Sequence, residues 1–409
     1  MSRIRIKNFG PIKEGCVEND GWIDIKKFTV FIGNQGSGKS TVAKLISTFM
    51  WKEKAMNRGD IEPPKSIYEF QGFCKYQGIA NYFREGSILE YDGDSLAFKI
   101  EYNLPPVIPV ENLLRSYITP KIMYVSSERN FLSTIRSAFD VKGLPGHLVG
   151  FAEEMKRAQL ELINANLELP IGNYVYNYDA FKDASFISGA DYHIDLLEAS
   201  SGLQSLVPLF LVSRNLALSI AKNSNVTENL SVNQLLRRNN SLTQIALRPN
   251  ISDDERMLLV NKVSASYINS CFINIVEEPE QNLFPTSQRQ LLNSLVSFAN
   301  MTEGNKLIMT THSPYLINDI TLAVKAFKVR ETLASQQKNA DDKIGKIVPV
   351  DSVINPDDLA IYELDEKDGS IKKLGEYKGI PSDENYLNDN LAATNELFAQ
   401  LLEIEKGWL

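Results

Sequence analysis

The chain has 409 residues, 43% of them hydrophobic and 23% charged, with a formal net charge of −8. This is the composition of an ordinary globular protein, long enough for two lobes or one decorated domain. The acidic balance excludes a globally basic nucleic-acid binder, although a local basic groove is compatible with it. Three scattered cysteines (Cys16, Cys74 and Cys271) suit neither a disulfide framework nor a metal cluster and point to a reducing compartment. Residues 1–6 hold no signal-peptide core, and no apolar run approaches the roughly 20 residues of a membrane span, so a cytoplasmic location without a membrane partner is expected.

In chain order, residues 4–9 and 22–32 read as strands separated by the turn-rich Gly10-Pro11 and Asn19-Asp20-Gly21. The apolar run Phe28-Thr29-Val30-Phe31-Ile32 leads into Gly33-Asn34-Gln35-Gly36-Ser37-Gly38-Lys39-Ser40-Thr41, followed by a helix-compatible segment to Met50. The loop matches G-x-x-x-x-G-K-[ST] in the strand–loop–helix context that the motif requires. Its glycines let backbone N–H groups approach and cradle phosphates, and the following helix adds the positive end of its dipole. Lys39 would reach the β- and γ-phosphates of a nucleoside triphosphate, and the Ser40 hydroxyl would ligate Mg²⁺. Residues 66–83 suit a helix. Residues 87–102 alternate around Asp92-Gly93-Asp94, a hairpin signal. The strand 121–125 ends at Ser126-Ser127-Glu128-Arg129. At a strand end in an open α/β sheet, Glu128 and Arg129 read either as ligand contacts or as an exposed ion pair.

Residues 147–167 and 203–222 read as helices, the second strongly apolar. The stretch 223–254 is rich in Asn, Ser, Thr and Arg, and a mobile, solvated insertion is expected there. Helical character returns at 255–269, and no heptad pattern or internal repeat is present. The strand 271–276 ends at Glu277-Glu278-Pro279. A phosphate loop needs carboxylates on a second strand, so Glu277 would bind Mg²⁺ directly or through water and Glu278 would polarise the attacking water as general base. The strand 306–311 ends at His312-Ser313-Pro314, where His312 could sense the γ-phosphate or hold the catalytic geometry.

The order of phosphate loop, Ser-Ser-Gly element, hydrophobic-Glu-Glu-Pro and Thr-His-Ser-Pro resembles the ABC-type ATPases. More narrowly it resembles the branch shared by SMC, RecF and OLD-family proteins, whose opening is similar to Ile6-Lys7-Asn8-Phe9-Gly10. Residues 197–204 (LEASSGLQ) resemble their signature motif. The resemblance implies that Ser200, Ser201 and Gly202 contact, in trans, the γ-phosphate held by a second head. Three departures stand out: Glu277 replaces the usual Asp, Leu203 replaces a second glycine, and the loop 280–284 lacks the Asp common after its Leu. The tail from residue 326 is similar to that of stand-alone OLD-like ATPases, such as the AriA component of PARIS and the PtuA component of Septu. It lacks the acidic pattern of a Toprim nuclease, and 365–369 reads as a hairpin turn instead. A helix near the end carries Leu387, Leu391, Thr394, Phe398 and Leu401 as an apolar stripe suited to core or dimer contact.

These readings predict an α/β fold: a P-loop ABC-type ATPase head with a mixed, mostly parallel sheet, a small antiparallel β-lobe and a helical lobe. The expected division is 1–129 for the first half of the head, 130–270 for the helical lobe with the signature, and 271–409 for the second half. The resemblance implies an ATP- and Mg²⁺-dependent ATPase without nuclease activity of its own. It would form a homo-oligomer of head-to-head dimers and control a separate effector, a nuclease, in antiviral defence. A RecF/SMC-like DNA-repair ATPase and an OLD-type nuclease component are the alternatives; an ABC transporter subunit fits least.

Overall fold

The computed structural model describes residues 2–407 except 65, 103, 105–106, 112–116, 223–231, 250 and 337. At its centre is a seven-stranded sheet, in the order Gly15–Cys16, Ser370–Lys373, Leu359–Leu364, Phe28–Gly33, Lys306–Thr311, Cys271–Glu277 and Pro120–Val125. The last five of these run parallel to one another, and Ser370–Lys373 pairs antiparallel with Leu359–Leu364 through the expected 365–369 turn. Phe28–Gly33 and Cys271–Glu277 are buried at every position. Strands covered on both faces need apolar side chains on both, which explains their near-continuous hydrophobic runs, broken only by Thr29, Asn274 and the terminal Glu277. Phe28, Val30 and Ile32 enter a core shared with helices Gly146–Leu160, Ser201–Ala221, Pro285–Asn300 and Pro314–Ser335. Phe31, Ile273 and Ile275 face a second core against helix Lys39–Asn57.

That second core is closed by a five-stranded antiparallel sheet in the order Trp22–Ile25, Ser2–Phe9, Phe83–Asp92, Leu96–Glu101 and Val107–Glu111. Burial alternates along Ser2–Phe9, as it must in a sheet with one face on the core. The expected single strand over 22–32 is therefore two: Trp22–Ile25 pairs antiparallel with Ser2–Phe9, and Phe28–Gly33 crosses into the parallel sheet. The helix expected over 66–83 spans Ile67–Tyr76, capped by Ser66 Oγ, which accepts from Glu69 N.

Three further regions differ from the sequence expectation. A four-stranded antiparallel sheet (Leu167–Glu168, Val175–Asp179, Ala184–Ser188 and His193–Asp195) lies between helices Gly146–Leu160 and Ser201–Ala221. The polar stretch 223–254 is not all solvated loop. Residues 223–231 and 250 lie outside the described residues, but Val232–Leu247 and Asp253–Ser266 are helices that pack together. Helix Ser201–Ala221 is long and apolar enough to cross a membrane by length and composition, contrary to the sequence expectation. Of its most apolar window, 72% is buried in the fold, which accounts for the apolarity.

Candidate nucleotide site

Three neighbouring parallel strands end at one edge of the sheet, at Gly33, Thr311 and Glu277. They deliver the phosphate loop, His312 and the Glu277-Glu278 pair to one place, and open α/β sheets bind ligands at such carboxyl ends. Gly33 has φ +143°, and a Cβ there would meet Leu364 O at 2.3 Å, so only glycine fits. Gly38, at φ 104°, is the N-cap of helix Lys39–Asn57. The first-turn N–H groups of that helix have no carbonyl four residues back. Ser37 is buried with no hydrogen-bond partner for its Oγ, Ser40 is exposed, and Thr41 is buried. Gly36 is exposed with open space around it, Gln35 N donates to Asn34 Oδ1 at 2.8 Å, and Asn34 Nδ2 reaches Glu366 Oε1 at 3.0 Å.

Lys39 is 5% exposed, and its Nζ donates to the carbonyls of Gly33 (3.0 Å) and Asn34 (2.8 Å) and faces His312 Nδ1 at 3.4 Å. Burial lowers its pKa to about 8, against the opposing pull of Glu278, Glu280, Glu277 and Glu366. His312 Nε2 lies 3.4 Å from Glu278 Oε1. A neutral imidazole protonated on Nε2 satisfies both contacts, donating to Glu278 and accepting from Lys39. The hydrogen bond with His312 holds the Glu278 carboxyl below its ordinary pKa. Glu278 occupies the left-handed region at φ 44°, a conformation that costs a non-glycine residue. Both its backbone groups are fixed: its N–H donates to Thr310 O at 2.9 Å, and its carbonyl accepts from Arg129 at 2.7 Å.

Glu277 is 2% exposed; Oε2 accepts from Ser127 N at 3.2 Å, and Oε1 is buried without a partner. An orphaned carboxylate oxygen is costly unless a ligand completes it. Among the described residues no cluster of three acidic, His or Cys side chains could cage a metal. Mg²⁺ is usually held by one or two carboxylates plus phosphate oxygens and water. Glu277 and the Ser40 hydroxyl would hold it.

Two further residues have a place in the site: Glu280, which sequence reasoning missed, and Arg129, which it named with a different role. Glu280 Oε1 accepts from Thr311 Oγ1 and His312 N, both at 2.7 Å, and burial raises its pKa. It fixes the backbone that carries the His312 ring. Arg129 is fully buried and makes no ion pair with Glu128, which is exposed, so the ion-pair reading fails. Its guanidinium donates to the carbonyls of Glu277 (2.7 Å), Glu278 (2.7 Å), Ser126 (3.3 Å) and Ser205 (3.1 Å). Burial lowers its pKa to about 10. It thereby ties the carboxylate-bearing strand end to helix Ser201–Ala221.

Ser200 is the N-cap of that helix, and its side chain makes no capping bond; Ser200 and Ser201 are exposed. A Cβ on Gly202 would meet Asn282 O at 2.8 Å, and Ser205 Oγ donates to Gln281 Oε1 at 3.1 Å, so the helix start packs on the loop that follows Glu278. Among the described residues no hydrogen bond joins Ser200, Ser201 or Gly202 to the phosphate loop. Lys39, Glu278 and His312 are brought together within one chain, with Glu277 beside them, and the Ser-Ser-Gly element is left facing solvent.

Residues 255–317, which include Glu277, Glu278 and His312, match the family model described as AAA ATPase domain. No curated protein matches the chain in sequence. Among solved structures it is similar to the SMC head domain from Thermotoga maritima, at 11% identity and a TM-score of 0.37, covering 92% of this chain and 98% of that one. It is also similar to a Pyrococcus furiosus Smc head with an extended coiled coil bound to the C-terminal domain of ScpA. That match has 10% identity, a TM-score of 0.37 and coverage of 97% and 100%. A dimeric post-hydrolysis state of the ATP-binding cassette MJ0796 bound to ADP and Pi gives 11% identity, a TM-score of 0.27 and coverage of 92% and 100%. The family match and the strand-end geometry support a P-loop protein of ATPase type.

Proposed function

We propose that the chain binds and hydrolyses ATP with Mg²⁺ and works as a sensor or scaffold whose oligomerisation controls a separate effector. The observation that carries the ATPase reading is the convergence of Lys39, Glu278 and His312, with the orphaned Glu277 oxygen beside them. Mg²⁺, when bound, would neutralise charge on the phosphates. Residues 33–41 bind the triphosphate, with Lys39 moving from the Gly33 and Asn34 carbonyls to the β- and γ-phosphate oxygens. Glu278, accepting from His312, is aimed to take the proton of the attacking water, and Glu280 holds His312 in register.

In this reading the chain divides into the halves 1–129 and 271–409 of an ATPase head around a lobe 130–270, located in the cytoplasm. Ser200, Ser201 and Gly202 complete the site of a second head. Exposure of both serines supports this, as does exposure of Phe284 and Tyr315, which follow Glu278 and His312 in the chain at 73% and 47%. The effector, a nuclease, and the role in antiviral defence rest on the resemblance to OLD-like ATPases. Lys39→Ala is expected to weaken ATP binding by about 2–5 kcal/mol, as loss of one partner of a buried charged contact does. Glu278→Gln should slow hydrolysis by about 10²–10⁴-fold and accumulate a nucleotide-bound oligomer. Undiminished ATP affinity in the first variant would sink the ATPase reading. For the cellular role, co-expression with a nuclease encoded beside this chain, where the genome carries one, should protect cells from phage only when Lys39 and Glu278 are intact.

A further inference from the structure

The parallel strands that end at the nucleotide site begin at the opposite edge of the sheet, about 20 Å away along Cys271–Glu277. At that edge a cleft of about 460 Å³ lies among the strand starts, helix Lys39–Asn57 and the five-stranded antiparallel sheet. Its volume is within the range of small-molecule sites. Met50, Ile118 and Ile273 give it an apolar wall. Glu53 also lines it, but the four donors from Tyr91, Ser95 and Leu96 already close its carboxylate. Three other polar side chains in the lining are not closed in this way. Tyr117 Oη is buried without a hydrogen-bond partner, and burial raises its pKa, so it stays an O–H donor. Lys306 and Asp94 bring one charge of each sign, and among the described residues neither forms an ion pair. Ser2, 1% exposed, stands between them: Lys306 Nζ donates to its Oγ at 3.5 Å, and that hydroxyl donates to Asp94 Oδ1 at 3.0 Å.

We propose that this cleft binds a free α-amino acid with a large apolar side chain. The Ser2 hydroxyl, bonded to both charged groups, keeps them within two hydrogen-bond lengths of each other. An α-amino acid carries its ammonium and its carboxylate on one carbon, so a single molecule reaches both. Its carboxylate accepts from Lys306 Nζ and Tyr117 Oη, and its ammonium donates to Asp94. A purely anionic ligand would meet the Asp94 carboxylate, and a purely cationic one would meet the Lys306 ammonium, so the pair of charges selects a zwitterion. The ligand side chain leaves water for the wall formed by Met50, Ile118 and Ile273. A buried phenol without a partner costs the free chain stability, and this ligand supplies the missing acceptor. None of these groups belongs to the phosphate loop or to the strand ends that carry Glu277 and His312. The site is therefore separate from the nucleotide and does not rest on the ATPase reading.

Titration calorimetry of the full chain without nucleotide tests this, with L-phenylalanine and L-leucine as probes. Saturable binding of at least one of them is expected. N-acetyl-L-phenylalanine, which lacks the cation, and L-phenylalaninamide, which lacks the anion, should each bind about tenfold more weakly or worse. Lys306→Gln and Asp94→Asn should each weaken the amino acid by a similar factor, about tenfold or more. Tyr117→Phe separates a ligand contact from a structural one. It removes an oxygen that has no partner, so thermal unfolding of the free chain should not fall, while affinity for the amino acid drops about tenfold. Absence of binding by both amino acids at millimolar concentration would overturn the proposal. So would blocked analogues that bind as well as the free amino acid, or an affinity indifferent to the Lys306, Asp94 and Tyr117 changes. Lys39→Ala should leave amino-acid binding intact whatever it does to ATP, so this site and the ATPase reading fail by different measurements.

Discussion

Glu53 and Glu277 are both 2% exposed, yet their surroundings treat them in opposite ways. Glu53, late in helix Lys39–Asn57, accepts from Ser95 N, Ser95 Oγ, Leu96 N and Tyr91 Oη at 2.6–3.0 Å. Burial raises its pKa, and every oxygen is used to pin the turn after strand Phe83–Asp92. Glu277 accepts one backbone N–H and keeps Oε1 without a partner. Ser37 Oγ, Ser126 Oγ, Tyr124 Oη and Glu280 Oε2 are likewise buried and unpartnered. Each belongs to, or adjoins, the segments that carry Lys39, Glu277 and His312. A buried carboxylate that builds structure closes its lone pairs, and one that meets a ligand leaves some open.

The contrast breaks most visibly on exchange of the carboxylates. Glu277→Ala is expected to cut Mg²⁺-dependent ATP hydrolysis by about 10³-fold, near 4 kcal/mol of barrier, while denaturant unfolding of the nucleotide-free chain hardly changes. Glu53→Ala should do the reverse. It strands four donors and opens a cavity, so a loss of about 3 kcal/mol in stability is expected with nucleotide affinity retained. Equal stability losses in the two variants would remove the distinction.

Legibility from sequence follows the same line. The strands at 121–125, 271–276 and 306–311 and the phosphate loop were readable because each concentrates its signal in consecutive residues. Arg129 was legible as a strand-end residue but its role was not, because its partners are four backbone carbonyls contributed by Ser126, Ser205, Glu277 and Glu278, and a carbonyl has no letter of its own. Glu280 was missed because its partners, Thr311 Oγ1 and His312 N, come from another strand end. The sheet spanning residues 167–195 escaped because its strands are only two to five residues long, too short for a period to show. Helix Val232–Leu247 was obscured by polar composition, since packing against Asp253–Ser266 rather than propensity supports it.

Lys39 sharpens the contrast from the cationic side. Its pKa falls from the ordinary 10.5 to about 8, a gap worth about 3 kcal/mol. Below pH 8 the side chain is charged in both states, and the folded state bears the whole cost of burying it. Between pH 8 and 10.5 the unfolded chain holds more protons, so stability rises with pH there. Lys39→Met loses two hydrogen bonds to loop carbonyls but removes that cost. A net gain of about 1–2 kcal/mol at pH 7 is expected in the nucleotide-free chain, shrinking toward pH 10, together with loss of ATP binding. A variant less stable than the parent at pH 7 would show the loop carbonyls to be adequate partners for the ammonium.

The smallest expected effect comes from Tyr124. Its strand pairs with the Glu277 strand, Ile275 opposite Tyr124, and its buried phenol lies against the Glu277 carboxylate. Burial, with the charges of Glu277 and Glu128, pushes its ionisation well above the usual range, so the phenol remains a donor. His147 packs edge-on against the ring at 5.8 Å and holds it in place. A donor that closes on a carboxylate when the ion binds would fix which oxygen faces it, and loss of such a group costs about 10–100-fold in metal affinity. Tyr124→Phe removes only the oxygen. Stability should shift by less than about 1 kcal/mol, because the group has no firm bond to lose. The Mg²⁺ concentration for half-maximal hydrolysis should rise about tenfold, with ATP affinity in the absence of metal unchanged. An unaltered Mg²⁺ titration would make Tyr124 a space-filling ring and leave the orientation of Glu277 to Ser127 N alone.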